Sequence, residues 1–165
     1  MMPPEKIRSV FDCNIYLQAF VSGKGTAAKC RKLVDEGVVE LYISREILSE
    51  VRDVLTRPEL QSKFPHATLE AVNAFLEDIR EKAIFVRSTK RQFEFERDKK
   101  DEPYLNLAFE IKADYIVSWD KDLLDLMTDF TTQAKEFRQK FHPLKIVKPT
   151  EFLRIIQKKD LSLNP

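Results

Sequence analysis

The chain has 165 residues, 43% of them hydrophobic, which is enough for one domain spanning residues 1–165 with a substantial core. Its 28 lysines and arginines against 27 acids leave a formal charge of +1. No whole-molecule field therefore draws it to nucleic acid or an anionic membrane, and any nucleic-acid site has to be local. The opening MMPPEKIRSVFD lacks the apolar core of a secretory signal, and no run approaches the roughly 18 apolar residues of a membrane span. Cys13 and Cys30 lack metal-knuckle spacing and read as buried thiols of a soluble, cytoplasmic protein.

Ile7–Phe11 reads as a first strand that stops at Asp12. A helical stretch carrying Ile15, Leu17 and Phe20 follows and breaks at Gly23 and Gly25. A second helix over Ala27–Glu36 is terminated by Gly37. Val39–Ile43 is the next strand, and Ser44 caps a helix over Arg45–Leu55, which Arg57-Pro58 ends. On that helix Ile47, Leu48, Val51, Val54 and Leu55 form one apolar stripe, and Glu50 falls beside its edge. Thr68 caps an amphipathic helix through Ile79, and Ala83–Val86 is a third strand.

Ser88–Lys100 is dense in charge and reads as a solvated loop with a short edge strand at Phe93–Phe95. Glu102-Pro103 opens a helix with Leu105, Ala108 and Ile111 facing inward, because proline is tolerated in a first turn. Asp114–Val117 is a fourth strand running into Ser118, Trp119 and Asp120. After a short helix at KDLLDLM, Thr131–Phe141 is helical, Leu144–Val147 is a fifth strand, and Thr150 caps a last helix. Strands alternating with helices predict an α/β fold, a three-layer α/β/α sandwich around a mostly parallel sheet. In such sheets ligands bind beyond the carboxyl ends of the strands, where Asp12 and Asp120 fall.

Four acids are thereby brought toward one place: Asp12 and Asp120 at strand ends, Glu50 and Asp101 early in helical segments. Converging carboxylates cannot all stay ionised without a counter-charge, so the set predicts a hard divalent cation, Mg²⁺ or Mn²⁺, and with it phosphate chemistry. Asp12 and Asp101 are the expected direct ligands, with Asp120 and Glu50 completing the shell or holding its waters. Asn14 and Ser118 are supporting candidates that orient carboxylates or waters, and Asp122 is a spare ligand or a helix cap. Each acid alone is as well explained as a cap or a surface residue, and only their joint placement points to a site.

Lys90, Arg91, Arg97, Lys99 and Lys100, interleaved with Phe93 and Phe95, are candidate nucleic-acid contacts, and Trp119 beside Asp120 is a candidate stacking surface. A solvated basic loop is the plainer reading. His66 and His142 have no partner at metal-ligand spacing, and no dinucleotide or P-loop glycine motif occurs. A phosphatase of the haloacid-dehalogenase type also begins with an Asp after its first strand, but it needs a second Asp where Asn14 stands.

The blocks FDCN at Phe11–Asn14, LSEV around Glu50, DKKDEPYLNLA at Asp98–Ala108 and ADYIVSWDKDLL at Ala113–Leu124 resemble PIN-domain ribonucleases, particularly the toxin-component branch of bacterial and archaeal PIN proteins. The resemblance runs from about Lys6 to about Leu153. It implies an endoribonuclease dependent on Mg²⁺ or Mn²⁺, with the family's acidic set at Asp12, Glu50, Asp101 and Asp120 and supporting polar groups at Asn14 and Ser118. A non-catalytic, RNA-binding PIN module is the alternative. The branch further implies an antitoxin partner and a homodimer. Asp129–Pro143 departs from the pattern as an insertion between the fourth and fifth strands, able to cover the site, to meet a partner or to do neither.

Overall fold

The computed structural model describes residues 6–163. Five strands, β1 (Ile7–Phe11), β2 (Val39–Ser44), β3 (Ile84–Val86), β4 (Tyr115–Val117) and β5 (Lys145–Val147), form one sheet in the order β3-β2-β1-β4-β5, every pair parallel. Parallel neighbours need crossovers, and helices supply them on both faces, completing the three layers. The central strands are covered on both sides: Val10, Phe11, Ile116 and Val117 are all buried.

The register pairs Phe11 with Val117, so β1 and β4 end side by side. Strand order reverses at this point, with β2 and β3 on one side of β1 and β4 and β5 on the other. A crevice opens at such a reversal, between loops that leave in opposite directions. The residues that leave β1 and β4 here are Asp12 and, three positions past Val117, Asp120.

The helices are α1 (Cys13–Val21), α2 (Thr26–Asp35), α3 (Arg45–Leu55), α4 (Pro58–Lys63), α5 (Leu69–Lys82), α6 (Glu102–Glu110), α7 (Lys121–Leu124), α8 (Thr132–Phe141) and α9 (Pro149–Leu163). Ser44 and Thr68 cap α3 and α5 by accepting from the amides of Ile47 and Ala71. Gly37 follows α2 with φ +74°, the left-handed conformation that costs glycine least. Pro58 ends the approach from α3 and also opens α4, since a first-turn proline loses no hydrogen bond. For the same reason α9 begins at Pro149, and Thr150 lies inside the helix instead of capping it.

Phe93–Phe95 is not a strand. Its backbone is claimed by side chains: Asn106 Oδ1 accepts from the amides of Gln92 and Phe93, and Glu102 Oε2 accepts from that of Phe95. Phe95 is buried, and Phe93 meets Phe109, Phe137 and Phe141 edge-on. The 129–143 insertion is therefore part of the core, because α8 supplies Phe137 and Phe141 to this aromatic cluster. Gln133 and Lys140 of α8 also donate to the carbonyls of Glu94 and Gln92.

Candidate metal centre

Asp12 is the N-cap of α1. Its Oδ1 accepts from the Cys13 amide at 2.7 Å and its Oδ2 from the Ser118 hydroxyl at 2.6 Å. The Ser118 hydroxyl in turn accepts from the amide of Asp120 at 2.9 Å, and Ser118 is fully buried. One hydroxyl thus ties the ends of two neighbouring strands together and fixes the distance between their acids. Asp120 caps α7, with its Oδ1 accepting from the Asp122 amide at 2.8 Å. The capping role and the clustering role coexist in both residues, since each carboxylate has two oxygens.

Asp101 differs. It ends a single 3₁₀ turn, Lys99–Asp101, at the head of α6, yet its side chain caps nothing. It is 5% exposed, and its Oδ2 is buried without a hydrogen-bond partner. A buried carboxylate oxygen is rarely left without one. Asp12, Asp101 and Asp120 each offer an oxygen within 4.8 Å of the other two. Burial foremost, then the charges of Asp120 and Asp12, pushes the Asp101 carboxyl far above the ordinary range. Burial also raises Asp12, to about 6, against the lowering influence of its hydrogen bonds from Ser118 and Cys13. The raised carboxyls of Asp12 and Asp101 beside that of Asp120, with one oxygen unclaimed, form an all-oxygen donor set suited to a hard divalent cation.

Glu50 stands outside that 4.8 Å group but faces it from α3, close enough that its charge raises Asp12 further. Its Oε2 accepts from the hydroxyl of Tyr104 at 2.8 Å, and Tyr104 is buried in α6. Tyr104 was not visible as a site residue in the sequence, because its partner lies 54 positions upstream. Cys13 lies near enough to feel the charges of Glu50 and Asp12, and burial foremost pushes its thiol up to about 12, so it stays neutral.

A second acidic group, Asp98, Asp101 and Asp122, shares Asp101 with the first. Arg97 supplies its counter-charge, with Nε 2.5 Å from Asp122 Oδ1 and a second nitrogen 2.8 Å from Asp125 Oδ2. Arg91 pairs with Glu102 at 3.1 Å. Two of the basic-loop residues are thus committed to internal ion pairs, while Lys90, Lys99 and Lys100 are exposed. Phe93 and Phe95, packed in the aromatic cluster, are not surfaces for bases. Asn14 is exposed and makes no hydrogen bond to the acids among the described residues. Trp119 is 37% exposed, and its indole nitrogen donates to Gln18 Oε1 at 2.9 Å.

Three clustered aspartates at the strand-order reversal are what a metal-dependent phosphodiesterase requires, and the PIN domain family model matches residues 8–122, from β1 through Asp122. The chain belongs to the PIN domain family, whose members are nucleases that typically use divalent metal ions and act on nucleic acid. It is also similar to an uncharacterized protein of Methanocaldococcus jannaschii, 27% identical over 155 residues, which cover 93% of this chain and 94% of that protein. Among the described residues no helix is long and apolar enough to cross a membrane.

Proposed function

We propose that this protein is a Mg²⁺- or Mn²⁺-dependent endoribonuclease that hydrolyses RNA phosphodiester bonds. The observation that carries the reading is the buried, unpartnered Oδ2 of Asp101 within 4.8 Å of oxygens from Asp12 and Asp120. Asp12, Asp101 and Asp120 hold the ion. When bound, it supplies Lewis acidity toward water and phosphate and neutralises charge on the leaving oxygen. Ser118 fixes the spacing of Asp12 and Asp120, and Tyr104 holds Glu50 Oε2, leaving Oε1 to orient a water. The resemblance of the DKKDEPYLNLA and ADYIVSWDKDLL blocks to the toxin-component branch supports a cytoplasmic toxin, paired with an antitoxin and acting as a homodimer.

The purified chain is expected to cleave RNA with Mg²⁺ or Mn²⁺ and to stop on addition of chelator. Asp101→Asn should lower the rate at least about a hundredfold, because it removes charge from the centre of the donor set. Full activity in that variant would remove the assignment. Tight RNA binding without turnover, and without heat on titration with Mn²⁺, would instead assign a non-catalytic RNA-binding module. A small DNA-binding protein encoded beside this gene and co-purifying with it is the expected mark of the toxin pairing.

A further inference from the structure

An open cleft of about 940 Å³ lies along the outer edge of the sheet, between β5 and the segment that follows β4. Its floor is apolar, with Leu124, Met127, Leu144 and Ile146, and its rim is basic, with Lys121, Arg138, Lys145 and Lys148 against Asp125 and Glu151. Asp125 is paired with Arg97 and with Lys121, so the open positive charge of the rim rests on Arg138, Lys145 and Lys148. Arg138 gives its two terminal nitrogens to the carbonyls of Leu126 and Asp129, so it is held in place, and it has no carboxylate partner among the described residues. Lys145 and Lys148 are exposed and have no carboxylate partner among the described residues.

Trp119 lines the cleft one residue before Asp120, and its hydrogen bond to Gln18 holds the half-exposed ring in place. An aromatic face, an apolar floor and a one-sided cationic rim are the elements of a single-strand nucleic-acid channel, where bases stack and phosphates follow the charge.

We propose that this cleft carries a single-stranded polynucleotide away from the acid cluster, with a base on Trp119 and phosphates at Lys145 and Lys148. The proposal rests on the nuclease reading for its substrate class. A peptide strand adding to the edge is the competing occupant, and β5 is poorly prepared for it. The outward amide of Ile146 is already engaged by the sulfur of Met127 at 3.3 Å, so the edge does not offer that donor to a new strand.

Trp119 is the chain's single tryptophan, so its fluorescence reports the cleft directly. The full chain is titrated with a ten-residue oligouridylate in chelator, where no cleavage occurs, at several salt concentrations. Quenching is expected, with affinity falling steeply with salt. Lys145→Ala with Lys148→Ala should weaken binding roughly tenfold and lower the log–log salt slope by about 1.4, while melting as the unaltered chain does. Unchanged affinity and slope in that variant, or oligonucleotide binding by anisotropy with Trp119 unquenched, would overturn the proposal. Cleavage with Mn²⁺ but no quenching would remove the cleft and leave the nuclease reading. Lysine-dependent quenching without cleavage would do the reverse. An oligothymidylate arm decides whether the cleft distinguishes ribose from deoxyribose.

Discussion

Burial of Asp12 places binding of a cation and stability of the metal-free chain in opposition. The carboxyl titrates near 6 in the folded protein against 3.8 when solvated, so between these values the native state binds more protons than the unfolded chain. The contribution of this group to metal-free stability is therefore greatest below about pH 4 and falls as pH rises through 6, by about 3 kcal/mol. Asp101 is displaced in the same direction and extends the fall to higher pH. Asp12→Asn removes the burden. In chelator the variant should be the more stable protein at pH 7, with the difference closing near pH 4 in urea unfolding curves. A pH-independent difference would contradict this account. Asp12 and Asp120 were legible in the sequence because each follows a run of strand residues, and Glu50 because helical phase set it beside an apolar stripe. Tyr104 was not, since a hydroxyl's partner across the fold leaves no mark on local periodicity.

Among the elements, α8 departs most from its appearance in sequence. Polar and charged, it reads as an appendage, yet Phe137 is fully buried and Phe141 stacks on Phe109. Phe137→Ala should cost about 3–5 kcal/mol, seen as a lower urea midpoint, as for a large core aromatic. A loss under about 1 kcal/mol would mark α8 as a detachable cover. The alternation of strands and helices was readable along the chain, because parallel strands are apolar on both faces and turn signals separate them. Ser88–Lys100 is loop over most of its length, as its charge predicts, but the strand expected at Phe93–Phe95 is absent for a specific reason. Its phenylalanines are buried by a helix some 40 residues downstream, and its amides are held by Asn106 and Glu102, so nothing local distinguished packed rings from exposed ones.

For the whole molecule, an ion at the acid cluster joins residues at the heads of α1, α6 and α7, and binding has to stabilise the fold as a unit. At a Mn²⁺ concentration one hundred times its dissociation constant, the gain is about 2.7 kcal/mol. Scanning calorimetry near neutral pH should show the melting point rise by roughly 5–10 °C, reversed by chelator and lost in Asp101→Asn. No shift at saturating metal would separate the acid cluster from metal binding.

The amide of Ser118 donates to the carbonyl of Val147 at 3.0 Å, so the strand end that holds Asp120 is completed by β5, the last strand in chain order among the described residues. Without that bond Ser118 would be held only through Asp12 and Asp120 and the β1–β4 pairing beside it. The spacing of the two aspartates is thus tied to a strand much later in the chain, and damage confined to the β5 edge reaches the acids without touching either of them.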